Sequence, residues 1–252
     1  MSRVLPIISL VTAAAIEADA LFGARPSVLG TEASAHIREA AGTLAPALAG
    51  GDERRSKRDV RAIQRELRRR AAGTYIAEML LSRDSSLTRW PARRNSPIRV
   101  WIQPSSDLPD WTATYVDEVY AAFDEWDTLD LPVSFTYVAD STDAEVHVTW
   151  IDHFQEPISG RIKWARDDDW WITEASIVLA VHHHKGDVLD EGAMRAVALH
   201  EIGHLLGLDH THDVRSIMAR KVRVRTLSPA DKATVRLLYT LPPGAVRSLA
   251  MR

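Results

Sequence analysis

The chain has 252 residues, is 46% hydrophobic and 26% charged, and carries a formal net charge of −3. That length suits one sizeable domain with an extension, and the mild negative balance gives no overall pull towards nucleic acid or membrane, so nucleic acid is not expected as a partner. There are no cysteines, which excludes a disulfide framework and leaves the redox compartment unread.

Residues 4–16 form an uncharged stretch behind Arg3, and Ala18-Asp19-Ala20 has the small-x-small form of a leader cleavage site. The expectation is an exported chain with residues 1–20 as a candidate signal peptide. The alternative is an alanine-rich helix of a cytoplasmic extension, because Glu17 and Asp19 sit close to the cut and the run is too short to span a membrane. Gly50-Gly51 then predicts a break between helical pieces. From 54 to 70, nine residues are Lys or Arg against Asp59 and Glu66. Val60, Ile63 and Leu67 fall at helical spacing there, so the segment reads as a basic amphipathic helix, a solvated face first of all, otherwise a surface for anionic lipid, nucleic acid or an acidic partner. A further helical piece is predicted over 75–81. The segment upstream of about Ser86 is expected to be dispensable for the site, with some packing from Tyr75, Ile76 or Leu80.

Beyond Trp90-Pro91 and Ser96-Pro97 the pattern alternates between strands and helices. Ile98, Val100 and Ile102 alternate with Arg99, Trp101 and Gln103, as in a half-buried strand. A helix is predicted from Pro109-Asp110 to about Leu129, with Val116, Val119, Tyr120, Phe123 and Trp126 along one side. Strands follow at 132–138, 144–150, 161–165 and 171–181. Asp190-Glu191 are acids suited to a helix N-terminus, and Ser228-Pro229 announces the last helix as a cap with Pro in the first turn.

The helix opened at Asp190 carries the most specific pattern: His200-Glu201-Ile202-Gly203-His204, then Gly207, His210 and Met218. Residues four apart share a helix face, so His200 and His204 can present two imidazoles to one point. Gly207 suits the left-handed turn that lets the chain come back, and His210 is then the natural third ligand. Three neutral imidazoles leave zinc one open position for water at a catalytic site. Glu201, beside the metal rather than on it, is the candidate general base. Met218 falls where a tight turn would place an apolar floor.

H-E-x-x-H-x-x-G-x-x-H with a downstream Met is the metzincin signature, and its local wording resembles the matrixin branch. Thr211 and Asp213 follow the third His in the matrixin manner, and 227–231 with Leu237-Leu238-Tyr239 is similar to the matrixin C-terminal helix. The resemblance covers roughly residues 97–240. It implies an α+β fold of metzincin type: a twisted, mostly parallel mixed sheet with a long packing helix, an active-site helix and a C-terminal helix. It also implies a zinc metalloendopeptidase acting on protein or peptide substrates with one catalytic Zn²⁺. The division that follows is a helical extension at 21–85, the metallopeptidase domain at 86–245 and a tail at 246–252. Gly207, Met218, Asp213 and Asp231 support the site, the two aspartates by holding the turn and last helix through backbone hydrogen bonds.

Two departures limit what carries over. Ala219-Arg220-Lys221 stands where the family has a residue and then Pro, so substrate preference is not inherited. Ala230 replaces the first of two family aspartates, which puts activation by trimming to a defined N-terminus in doubt. With no cysteine, the family's cysteine latch is excluded. A second metal is not expected: Asp167-Asp168-Asp169 lacks the alternating spacing of a calcium loop, His147, Asp152 and His153 lack the structural-zinc spacing, and of His182-His183-His184 at a strand end only the outer two would share a side. His212 is expected to face solvent. The competing function is a non-proteolytic binding module that keeps zinc for stability and acts through its basic N-terminal helix. Oligomeric state is not legible.

Overall fold

A computed structural model of the protein describes residues 11–15, 71–82, 86–241 and 244–245. The predicted basic helix at 54–70 and the Gly50-Gly51 break lie outside the described residues. Within them the strands are β1 (Val11–Ala15), β2 (Ser86–Leu87), β3 (Ile98–Ile102), β4 (Phe135–Tyr137), β5 (Val146–Ile151), β6 (Gly160–Arg166), β7 (Ile172–Ala180) and β8 (Gly244–Ala245). The helices are α1 (Ile76–Ser82), α2 (Thr114–Asp127), α3 (Glu191–Leu205) and α4 (Pro229–Thr240).

Six strands form one mixed sheet in the order β1-β6-β7-β5-β3-β4. The pairs β4–β3, β3–β5 and β5–β7 are parallel, while β6 runs antiparallel to β7 and β1 antiparallel to β6. Alternation sets which face is covered: Ile98, Val100 and Ile102 of β3, Val146, Val148 and Trp150 of β5, and Ile162 and Trp164 of β6 are all buried. α2 packs on α3, and α3 also meets β6 and β7. At the α2–α3 contact, fully buried Trp126 donates its indole N–H to the Leu199 carbonyl at 3.0 Å. The hydrogen bond lets a large apolar ring be buried without stranding its polar atom.

Several boundaries move. α2 starts at Thr114 rather than near Pro109, because Asp110 takes a left-handed backbone (φ 58°) that interrupts a right-handed helix. β4 is shorter than predicted, spanning Phe135–Tyr137, although the Ser134 carbonyl and the Val138 N–H also bond to β3 and Val133 just before it is buried in the core. The backbone of 11–15 is extended at the sheet edge, with Val11 opposite Trp164 and Ala15 opposite Arg161, so the alanine-rich helix is not formed there.

The segments before β3 belong to the same core. Tyr75, Ile76 and Met79 are buried, and α1 lies against α4. Trp90 is fully buried and donates its indole N–H to the Leu205 carbonyl at 3.0 Å, so it satisfies a free carbonyl in the last turn of α3. Buried Arg89 donates through Nε and Nη2 to the Leu241 carbonyl and lies over the rings of Trp171 and Tyr239. β2 pairs with β8, tying the chain after α4 back to the domain entry. A division at residue 86 therefore cuts through packing that residues 71–82 make with α4.

Candidate metal centre

α3 is buried almost all round: twelve of its fifteen residues are buried, His200, Glu201 and His204 among them. Its start is fixed by Asp190, whose side chain accepts from the Ala193 N–H at 2.7 Å. Its end is fixed by Gly207, at φ 99°, where an added Cβ would stand 2.2 Å from the Thr88 carbonyl oxygen. Glycine is thus required twice over, by conformation and by space.

The three predicted imidazoles come together. One nitrogen from each of His200, His204 and His210 lies within 4.8 Å of the others, and all three residues are buried. His200 Nδ1 faces the Ile217 carbonyl at 2.6 Å and His204 Nδ1 faces the Leu208 carbonyl at 2.9 Å. A carbonyl only accepts, so in both rings Nδ1 carries the proton and Nε2 keeps its lone pair. The two Nε2 atoms stand 3.0 Å apart. Two acceptors that close, with no proton between them, suit a shared cation, and a tetrahedral zinc with bonds of about 2.0–2.1 Å would separate its nitrogens by roughly 3.3 Å. Burial, and then the neighbouring His204 and His210, push the His200 imidazole well below its ordinary pKa, which keeps it neutral and ready to bind metal. The donor set fits zinc.

Glu201 follows His200 directly on α3 and has both carboxylate oxygens buried. Burial drives its carboxyl well above the usual carboxylate range, opposed by the charge of Arg161 and the nearby Ile162 amide. The room for it comes from Gly160, where a Cβ would lie 2.6 Å from Glu201 Oε1. Sequence reading missed Gly160, because a glycine at the start of a strand has no pattern of its own.

The floor is built by residues 211–231. Met218 is fully buried, and a Cβ on Gly203 would come within 2.3 Å of its sulfur, so α3 rests directly on the methionine. Thr211 N–H donates to the Met218 carbonyl at 3.0 Å, joining the loop that carries His210 to that turn. Asp231 is buried and accepts from the Ser216 hydroxyl, the Ile217 N–H at 3.1 Å, the Ser228 N–H at 2.8 Å and the Tyr75 hydroxyl at 3.2 Å. It therefore closes the capping box of α4 and holds the turn whose Ile217 carbonyl orients His200. Asp213 acts more locally, accepting from the Arg215 backbone and guanidinium at the surface.

The other histidines fall elsewhere. β7 ends at Ala180, so His182-His183-His184 lie in a loop, where strand alternation does not apply. His182 is held between Asp152 at 2.8 Å and Asp110 at 3.0 Å, while His183 Nε2 and His184 Nδ1 are 3.1 Å apart. His147 meets the Ser141 carbonyl. Among the described residues, the only grouping suited to a metal ion is His200, His204 and His210. His212 is exposed as expected, yet it is bound to Glu78 of α1, a contact with no signature in the sequence.

A mixed sheet, a buried helix bearing two imidazoles, a glycine turn returning a third and a methionine floor together form a candidate metal centre of metzincin type. The family model described as Matrixin matches residues 101–240, and the chain belongs to the matrixin family. It is similar to Metalloendoproteinase 1 of Glycine max, with 33% identity over 97 residues, 37% of this chain and 30% of the relative. It is also similar to Metalloendoproteinase 1-MMP of Arabidopsis thaliana, with 30% identity over 139 residues, 47% of this chain and 36% of the relative. The chain thus spans about a third of the length of the curated relatives it matches.

Proposed function

We propose that this chain is a zinc-dependent metalloendopeptidase whose zinc ligands are His200, His204 and His210 and whose general base is Glu201. One observation carries the reading: two imidazoles locked by carbonyls into the metal-binding tautomer converge with a third beside a buried carboxylate that is not part of the ligand set. Bound zinc supplies a Lewis acid that polarises a scissile carbonyl and acidifies water. Glu201 takes the proton of the attacking water and hands it to the leaving amine nitrogen. Gly160 gives the carboxylate its space, and Asp231 and Met218 keep α3 and the return loop in register beneath it.

β6 begins at Gly160, against Glu201, so an extended peptide laid along the outer edge of β6 would bring a peptide bond to the carboxylate. That edge is paired with β1 in the full chain. Export belongs to the same proposal, resting on the apolar run at 4–16, and leader cleavage after Ala20 would remove β1 and leave the β6 edge open. Among the described residues no helix is long and apolar enough to cross a membrane.

The test is metal analysis and casein cleavage on one preparation. About one zinc per chain, activity lost with a chelator and restored by zinc, is the expected result. Stoichiometric zinc without cleavage of a broad peptide panel would overturn the proteolytic reading.

A further inference from the structure

The return loop that carries His210 is gripped from both of its sides by one short helix lying outside the family match. Glu78 and Ser82 are four apart on α1, so their side chains leave the same face one turn apart. Glu78 Oε2 accepts from the Thr211 hydroxyl at 2.9 Å, from the His212 N–H at 2.9 Å and from His212 Nδ1 at 3.0 Å. Ser82 donates to Asp209 Oδ2 at 2.7 Å, and the other oxygen of Asp209 accepts the His210 N–H at 2.8 Å. Residues 209, 211 and 212 are therefore all tied, directly, to α1, and the residue between them is the proposed third ligand.

We propose that α1 is the positioning element for His210, with Glu78 as its principal residue, so that the upstream segment sets the affinity of the metal centre. This rests on the zinc reading above. The helix is itself held rigidly: Ile76 and Met79 are fully buried, the Tyr75 N–H donates to the Thr234 hydroxyl at 3.1 Å, and the Tyr75 hydroxyl donates to Asp231. A carboxylate fixed by such a base restrains the loop, whereas one on a fraying helix would merely follow it. His200 and His204 need no such help, because α3 sets their spacing. His210 arrives on a loop after Gly207, and a loop ligand contributes in proportion to how narrowly its position is restrained. Thr211 supplies the second restraint, through its N–H to Met218. α1 and the methionine turn thus hold the same residue from opposite ends, one by its side chain and one by its backbone.

The experiment compares full-length wild type with Glu78→Ala, Glu78→Gln, Ser82→Ala and Leu81→Ala, the last on an exposed position of the same helix. Zinc affinity is read by chelator competition, ligand geometry by the absorption spectrum of the cobalt(II)-substituted protein, and fold by melting of the metal-free form. Loss of a partner outside the ligand set weakens metal binding by roughly 10–100-fold, and that loss is expected for Glu78→Ala, with an altered cobalt spectrum. A smaller loss is expected for Ser82→Ala and none for Leu81→Ala. Glu78→Gln keeps an acceptor oxygen and should recover most of the affinity. Wild-type affinity and an unchanged cobalt spectrum in Glu78→Ala would overturn the proposal, as would a drop in metal-free stability with unchanged affinity, which would make Glu78 a docking residue only. Failure of wild type itself to bind zinc would overturn the metal centre and this proposal with it.

Discussion

The loop bearing His210 has two supports that differ in kind. On one side, Asp231 is fully buried and gathers four donors from Ser216, Ile217, Ser228 and Tyr75. On the other, Glu78 is part-exposed and gathers three from Thr211 and His212. The buried support cannot be exchanged for water when it is lost, so it sets stability. The exposed one can, so it is suited to setting position. The first lies within the family match and the second outside it.

Removing a whole support should have the largest effect. A chain beginning at residue 86 loses the buried Tyr75, Ile76 and Met79, on the order of 5 kcal/mol at about 1.5–3 kcal/mol for each large side chain. Urea unfolding of metal-free protein should show this loss relative to a chain beginning at 71. Equal stability of the two would mean that α1 is peripheral.

Asp231→Ala comes next. It strands buried donors on several residues, each costing about 1–3 kcal/mol, so a loss of at least roughly 3 kcal/mol is expected in the same measurement. A loss close to that of a surface substitution would break the contrast with Glu78.

The smallest effect belongs to Asp213, whose side-chain donors among the described residues come from neighbouring Arg215 in an exposed pair. Hydrogen bonds from the Arg215 guanidinium and N–H hold its carboxyl below the ordinary aspartate value. A lowered carboxylate stabilises the fold above its unfolded pKa of about 3.9 and loses that contribution as pH falls through the lowered folded value. Asp213→Ala should therefore shift the melting temperature slightly at pH 7 and less at pH 3. A large shift at either pH would mean that the turn depends on it.

The contrast between the supports is also the contrast between what could and could not be read from the sequence. His200 and His204 obey helix periodicity and Gly207 is a local turn that returns His210, so local rules were enough for the three imidazoles, while Met218 followed from the metzincin signature. Ser228-Pro229 announced α4 for the same reason: a cap is a local device. Strand alternation located β3, β5, β6 and β7 to within a few residues. Long-range contacts were not legible. Glu78 looks like any surface glutamate until Thr211 and His212, more than 130 positions away, are laid beside it. Gly160 is needed only because Glu201 packs on it. The expected start of α2 was early because Pro109-Asp110 is as consistent with the turn it forms as with a helix entry. Placing the domain boundary at 86 followed from local pattern, which records nothing of the core that residues 75–79 enter.

The central claim is that one carboxylate beside the imidazoles does the proton transfer and does not hold the metal. It is tested most directly by measuring zinc content and quenched-peptide cleavage on the same samples of wild type, Glu201→Ala and His204→Ala. General-base catalysis is worth roughly 10²–10⁴-fold, and Glu201 serves both transfers, so Glu201→Ala should keep its zinc and lose cleavage by at least the upper end of that range. His204→Ala should lose both zinc and activity. Cleavage at the wild-type rate by zinc-loaded Glu201→Ala would contradict the account.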